Sequence, residues 1–114
     1  MKRFQVIIER PAADDIDHYY QRAAAAGAAL NAARWYNRIV EAILALEDGA
    51  EWRGPVPEQD EFSERLYQLI FERRFRIMYT VIEDRVHILC VRGQGMRELG
   101  PADIERPASM EGGG

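Results

Sequence analysis

The chain has 114 residues, of which 47% are hydrophobic, and it carries a formal charge of −4. This length fits one domain with its own core, and the single cysteine, Cys90, excludes an internal disulfide framework. We find no apolar run of about 18 residues and no signal-peptide pattern, so we expect a cytoplasmic protein outside the membrane. The negative charge argues against tight nonspecific binding of nucleic acid by the whole surface.

The chain begins with a predicted strand over residues 3–9, in which Phe4, Val6 and Ile8 share one face. Pro11 then suits the first turn of a helix that we expect over about 11–26. Three aspartates follow, and we interpret them as partners of the positive end of the helix dipole: Asp14, Asp15 and Asp17.

A second helix is predicted from the break at Gly27 to about Asp48. Its apolar stripe consists of Ala33, Tyr36, Ile39, Val40, Ile43 and Leu44. The short connection predicts an antiparallel helical hairpin that covers one side of a sheet.

Glycine, proline and acidic residues make 49–64 a predicted loop, which Trp52 and Phe62 would pin to the core. Beyond the sheet, residues 101–105 predict one short helical turn. The last residues, 107–114, predict a disordered tail, so that a single domain spans 1–106.

Residues 65–97 contain three runs of β-branched and aromatic residues separated by charged breaks, which predict an antiparallel meander. In the run 75–82, Phe75, Ile77, Tyr79 and Val81 alternate with Arg76, Met78, Thr80 and Ile82. The expected fold class is α+β with the order β-α-α-β-β-β. An antiparallel sheet of about four strands would be covered on one face by the helical hairpin.

The same stretch, 65–97, holds seven arginines and three acidic residues, a formal charge of +4 that leaves −8 on the rest of the chain. Such an arrangement suits an anion or an acidic partner, although exposed strand positions also favour long solvated side chains. Arg76 stands out because it occupies a half-apolar strand face. It either serves a function or has a structural role, pairing with Glu72 or Glu83 or covering Met78 with its stem.

Motifs for common catalytic chemistry are absent from the sequence. The two histidines, His18 and His87, have no metal-ligand spacing, and we find no nucleophile elbow, phosphate loop or dinucleotide fingerprint. We therefore expect neither a metal ion nor a cofactor. The arginines near the end of the sheet are suited to bind phosphates or the carboxylates of a partner, and the sequence does not separate the two.

The order and spacing of several segments resemble the RelE/ParE superfamily of bacterial toxins from type II toxin–antitoxin systems. The resemblance covers roughly residues 3–100. It rests on Pro-Ala-Ala-Asp-Asp-Ile-Asp at 11–17, Ala-Arg-Trp-Tyr-Asn at 33–37, Phe-Arg-Ile-Met-Tyr-Thr-Val at 75–81, Asp-Arg-Val-His-Ile-Leu at 84–89 and Val-Arg at 91–92.

The resemblance implies a cytoplasmic toxin neutralised by a cognate antitoxin whose extended segment wraps around it. RelE-like members cleave mRNA on the ribosome, whereas ParE-like members poison DNA gyrase without being nucleases. In the RelE-like case, Arg76 and Arg97 would match catalytic arginines. The lysines of RelE-like members are replaced by Gln68 and Ile70, and no tyrosine follows Tyr79.

These departures favour ParE-like inhibition of gyrase, which needs no enzymatic activity. Two alternatives stay open: an mRNA endoribonuclease that acts on the ribosome, and a weakly toxic or inactive member that only binds its antitoxin. Candidate residues for binding the partner or target are Arg73, Arg74, Arg85 and Arg92. A homodimer or a toxin–antitoxin hetero-oligomer would fit the resemblance. Many ParE-like relatives have histidine where this chain has Gly93.

Overall fold

The computed structural model describes residues 3–52 and 56–93. The helices and strands are β1 (Gln5–Ile8), α1 (Arg10–Ala25), α2 (Ala29–Leu44), β2 (Tyr67–Phe71), β3 (Phe75–Ile82) and β4 (Arg85–Gly93). This confirms the predicted α+β class and the order β-α-α-β-β-β. The predicted turn at 101–105, the tail at 107–114 and Arg97 lie outside the described residues. Within those residues, no helix has the length and apolarity that crossing a membrane requires.

The four strands form one mixed sheet in the order β1-β4-β3-β2. The meander is antiparallel as predicted, but β1 pairs with β4 in parallel, so the expectation of a fully antiparallel sheet was wrong. Two hairpin reversals separate β2 from β4, so these strands run in the same direction. The helical hairpin and the loop after it carry the chain from the end of β1 back to the end of the sheet at which β1 starts. β2 therefore begins at that end and runs in the same direction as β1.

Helix α1 begins at Arg10, one residue before the predicted start, and ends at Ala25, next to the break predicted at Gly27. Pro11 occupies the first turn, and the dipole interpretation of the three aspartates was wrong, because the first turn contains no acidic residue. At the other end, Gly27 adopts φ +87°. The Gly27 amide donates to the Ala24 carbonyl and the Ala28 amide to the Ala23 carbonyl, each at 3.1 Å. This pair of bonds is a Schellman motif, which favours glycine at its left-handed residue.

The main core lies between the helices and one face of the sheet. Ile39, Ile43, Ile77 and Tyr79 are fully buried there, as predicted. Tyr36 was also expected in this core, but 43% of it is exposed. The apolar residues of α2 cover an arc wider than the contact with the sheet. The face of α2 that contacts the sheet is therefore centred on Ile39 and Ile43, and Tyr36 lies at the edge of that face.

A second, smaller cluster lies on the opposite face of the sheet. It comprises Val56, Leu66, Met78, Leu89 and Cys90, with Phe62 packed against it. The loop between α2 and β2 thus covers part of the face that the helices leave open, and Phe62 pins it as expected. The side chain of Trp52 lies outside the described part of the chain.

Strand β4 contains a β-bulge. Met78 is opposite Cys90, but the next residue of β3, Tyr79, is opposite Ile88, so Leu89 is an extra residue in β4. An extra residue reverses the faces of all side chains on one side of it relative to those on the other. Leu89 and Cys90 therefore both contribute to the second cluster.

Helix α1 takes over the edge of β4 where β1 ends. Strand β1 pairs with β4 only as far as Ile88. Beyond it, the Val91 amide donates to Asp15 Oδ2 at 2.9 Å and the Gly93 amide donates to the Tyr19 hydroxyl at 2.8 Å. Four residues of helix and two of strand each span about 6 to 7 Å, so the two side chains match alternate amides of β4.

Gly93 leaves room for this contact, since a Cβ at that position would lie 3.2 Å from the Tyr19 hydroxyl oxygen, and the tyrosine would have to shift slightly. Burial raises the pKa of the Asp15 carboxyl, and the Val91 amide and the charge of Arg92 partly oppose this effect. The bond to Val91 therefore orders the strand at the cost of placing a carboxylate in a partly desolvated position.

The junction between β1 and α1 is tied to the same strand by a pair of side chains. Glu9 precedes α1 as its N-cap but its side chain forms no capping bond. Instead, Glu9 Oε1 lies 2.8 Å from Nδ1 of His87, which is almost fully buried in β4. Glu9 thus joins the start of α1 to the sheet through its side chain.

We expect Ile43→Asp to unfold the domain, at a cost of more than about 4 kcal/mol, because it buries an unpaired carboxylate in the main core. Leu44→Asp is the matched control, since Leu44 is exposed on the same helix. It should change the free energy of unfolding by less than about 1 kcal/mol. Chemical denaturation monitored by circular dichroism tests both. Equal stability of the two variants would contradict the packing described.

The raised pKa of Asp15 predicts a pH-dependent effect of Asp15→Asn. Below the ordinary pKa of the carboxyl, both states of the protein hold it protonated and its burial carries no charge penalty. As the pH rises through the raised pKa, the charged form destabilises the wild-type fold, whereas asparagine can still accept the Val91 amide. The melting temperature of the variant should therefore gain a few degrees on wild type between pH 4 and pH 7.

The exposed neighbour Asp14 provides the control, because Asp14→Asn changes the same charge without a bond to β4. Thermal melts of the three proteins across this pH range decide the matter. A difference between wild type and Asp15→Asn that stays constant with pH would refute the desolvation argument.

Candidate functional site

The β-bulge brings Arg92 to the same face of the sheet as Arg76. The two residues are direct cross-strand partners on β4 and β3, and direct partners project their side chains to the same side. This is the face away from the helices, which also carries the second cluster. The arginine pair, as we call Arg76 and Arg92, is the centre of the candidate site.

The cross-strand neighbours of Arg76 on the described strand β2 are neutral. Ile70 is the partner of Arg76 on β2, so that Ile70, Arg76 and Arg92 form one row across three strands. Arg76 Nε donates to Gln68 Oε1 at 3.0 Å, and the charge of Asp15 acts on Arg92 from the edge of β4. Like charges directly opposite each other are unfavourable in a sheet, so this row favours an approaching anion or carboxylate.

The structural role considered for Arg76 involves pairing with Glu72 or Glu83, or covering Met78 with its stem. The carboxylate of Glu72 is bound to Arg38 on α2, and Arg76 donates to Gln68 on the neighbouring strand. Arg76 and Met78 share the face of β3 opposite the helices, as predicted, since Met78 belongs to the loop-side cluster. The alternation along β3 is therefore regular, and the irregularity of the sheet lies in β4.

The described strands place no general base in the rows next to the arginine pair, and Asp15, which acts on Arg92 from the edge of β4, has its carboxylate bound to the Val91 amide. Gln68, Met78 and Cys90 form the next row of the sheet. His87 shares this face but is opposite Thr80, four residues along β3 from Arg76, and thus about 13 Å away. It is also buried and bound to Glu9. Tyr79 faces the main core and donates its hydroxyl to the Ala50 carbonyl.

The other candidate arginines lie elsewhere on the sheet. Arg73 and Arg74 are exposed in the turn between β2 and β3. Arg85 begins β4 opposite Ile82, at the far end of the sheet from Arg92. The seven arginines of the sequence pattern therefore do not form a single cluster. Only Arg76 and Arg92 are brought into direct apposition within the described part of the chain.

A residue of α2 joins the turn between β2 and β3 to the helices. Arg38 Nε lies 2.6 Å from Glu72 Oε1, and its Nη2 lies 3.5 Å from Glu72 Oε2. The hydrogen bond to Glu72 raises the pKa of Arg38 above its ordinary value. The role of Arg38 was not predicted from the sequence, since its partner Glu72 is 34 residues away along the chain. The contact of Asp15 with β4 was not predicted either.

Across residues 3–52 and 56–93, His, Cys, Asp and Glu side chains do not gather in any group of three that could hold a metal ion. The guanidinium groups of the site provide positive charge and hydrogen-bond donors. Such groups bind carboxylates or phosphates, often through two parallel bonds.

Comparisons with known proteins agree with this fold. The chain matches the family model "ParE toxin of type II toxin-antitoxin system, parDE" over residues 6–98. A solved structure titled "Chromosomal ParDE TA system from P. aeruginosa" is similar with a TM-score of 0.68 and 23% identity, over 80% of this chain and 96% of that chain. No curated protein matches in sequence.

At 23% identity the solved structure supports the fold, while the family model spans most of the chain. The resemblance seen in the sequence is thereby confirmed. The chain belongs to the ParE toxin family of type II toxin–antitoxin systems.

Proposed function

We propose that this protein is a toxin that inhibits DNA gyrase and is neutralised by a cognate antitoxin. Membership of the ParE family supports the role of toxin. The observation that carries the mode of action is the position of the arginine pair. Arg76 and Arg92, both half-buried, place two guanidinium groups side by side on the sheet face away from the helices.

This arrangement suits binding better than RNA cleavage. Cleavage of RNA at a 2′-hydroxyl is aided by a group that removes a proton and a group that donates one. A guanidinium group offers hydrogen-bond donors and no acceptor, so the arginine pair does not supply a general base. The two arginines are equipped instead to hold an anionic group of a macromolecular target. Arg97, a further arginine in the sequence pattern, lies outside the described residues.

The outer side of the helical hairpin supports the second part of the proposal. Among the described residues, three of the four large apolar side chains with high exposure are on α2: Leu30, Tyr36 and Leu44. A groove of about 370 Å³ between the helices is lined by Asp17, Tyr20, Ala33, Tyr36 and Asn37. Of these three apolar side chains, Tyr36 lines the groove, and an exposed large apolar side chain at a groove is typical of an interaction site. We assign this groove to the antitoxin, whose apolar side chains would cover it.

The test of this function is expression of the chain with and without the protein encoded beside it. Alone, the chain should cause filamentation and DNA damage, and the purified protein should inhibit supercoiling of relaxed plasmid by gyrase. Co-expression should remove both effects, and Ile43→Asp serves as the unfolded control. Rapid arrest of translation with cleaved mRNA would instead establish a ribosome-dependent endoribonuclease. Absence of any effect on growth would leave a protein that only binds its antitoxin.

We expect Arg76→Ala, Arg92→Ala and Arg97→Ala each to reduce growth arrest at least about tenfold, which corresponds to the loss of one charge-assisted contact. Stability should change little for Arg76→Ala and Arg92→Ala, within about 0.5 kcal/mol, because each substitution also relieves a like-charge contact. Arg22→Ala, an exposed arginine on α1, is the control. Growth arrest and thermal melts should be measured on the same variants. A loss of stability that accounts for the lost arrest would make these arginines structural.

A further inference from the structure

The outer face of α2 carries two leucines that the fold leaves exposed. Leu30 is 64% exposed and Leu44 is 49% exposed, and neither is among the residues that line the groove between the helices. They lie about 21 Å apart along the helix axis. A single exposed leucine is ordinary in a folded protein. The arrangement of the residues between these two is therefore more informative than their exposure.

The face between the leucines is arranged symmetrically about Asn37. Leu30 precedes Asn37 by seven residues and Leu44 follows it by seven, which is close to two helical turns in each direction. The three side chains therefore lie in one row along α2. Arg34 and Glu41 border this row, about one turn before and one turn after Asn37, and all three polar side chains are exposed. We call these five residues the α2 ridge.

The two charges of the α2 ridge are too far apart to neutralise each other. Arg34 and Glu41 are separated by about two turns, or about 10 Å along the axis. In the described part of the chain, no ion pair joins either of them to another residue. Arg38, which lies between them in sequence, is bound to Glu72 instead. The ridge thus presents one positive and one negative charge to solvent, one on each side of its centre.

We propose that the α2 ridge binds the α2 ridge of a second copy of this chain, so that the protein forms an antiparallel dimer with two-fold symmetry. When the two helices are antiparallel and Asn37 faces its own counterpart, Leu30 of one copy meets Leu44 of the other. In the same register, Arg34 lies within about 1.5 Å, along the axis, of the level of Glu41 in the other copy. The symmetry repeats each contact, which gives two leucine pairs and two ion pairs.

Charge complementarity selects a second copy as the occupant of the ridge. The ridge has no net charge, and reversing the direction of the helix brings each charge opposite its complement. Parallel copies would instead place Arg34 opposite Arg34 and Glu41 opposite Glu41, which is unfavourable. A membrane surface would accept the leucines but would also desolvate the three polar side chains between them. The exposed charges fix the register, whereas burial of the leucines supplies most of the affinity.

Sedimentation equilibrium of the purified full chain tests the dimer. One pair of helices gives an interface below the standard size of about 1,600 Å², so the dissociation constant should be about 10–100 μM. Leu44→Asp, whose fold should be intact, is expected to weaken self-association at least about tenfold because it buries a carboxylate against Leu30. Ile70→Asp is the matched control, since Ile70 is 50% exposed on β2, and it should leave the dimer unchanged.

Three results of this experiment would overturn the inference. The first is a wild-type chain that stays monomeric at about 500 μM. The second is an equal loss of self-association in Leu44→Asp and Ile70→Asp, which would show that any added charge opposes association. The third is unchanged self-association in Leu44→Asp together with loss of its complex with the antitoxin, which would assign the ridge to the antitoxin.

Exchange of the two charges tests the antiparallel register. Arg34→Glu places like charges opposite each other twice in the dimer, and so does Glu41→Arg. Each variant alone should therefore associate at least about threefold more weakly than wild type at low salt. An equimolar mixture of the two variants regains both ion pairs in a heterodimer, and the double variant Arg34→Glu/Glu41→Arg regains them in a homodimer. Both should associate as tightly as wild type. If neither does so, the two ridges do not meet in this register and the inference is wrong.

Discussion

The need to hydrogen-bond both edges of β4 governs this structure. β4 has nine residues and lies inside the sheet, but β1 covers only its first four. The remaining edge is completed by two side chains of α1, Asp15 and Tyr19, whose oxygens accept hydrogen bonds from the amides of Val91 and Gly93. The position of α1 along the sheet follows from this, because Asp15 and Tyr19 must each reach a particular amide. Glu9 fixes the start of the same helix through His87.

These contacts bear on function because they hold the part of β4 that carries Arg92. The amide of Val91, just before Arg92, is bound to Asp15, and the amide of Gly93, just after it, is bound to Tyr19. The backbone on both sides of the arginine is thus anchored to a helix that packs in the main core. A guanidinium group mounted on such a strand loses less freedom on binding an anion than one in a loop. The half-buried carboxylate of Asp15 is the stability cost of this arrangement.

The sequence predicted the elements that depend on local pattern. Alternation placed Phe75, Ile77 and Tyr79 on one face of β3, and Gly27 marked the end of α1. The same approach could not find what depends on contacts between distant segments. The parallel direction of β1, the Glu72–Arg38 pair and the capping of β4 by Asp15 all join residues far apart in the chain. The aspartate was instead assigned to the dipole of its own helix, which is the local explanation. Strict alternation along β4 would likewise have placed Arg92 on the face of Val86 and Ile88, in the main core.

The bulge in β4 marks a place where the length of the strand can change. Leu89 and Cys90 project to the same face of the sheet, so loss of the single codon for Leu89 would restore regular alternation without exchanging the faces on either side of it. Arg92 would stay beside Arg76, and the core residues of β4 would stay toward the helices. The side chain that is lost belongs to the second cluster alone. In inheritance, therefore, this strand can shorten by one residue at the bulge and keep both its arginine pair and its core.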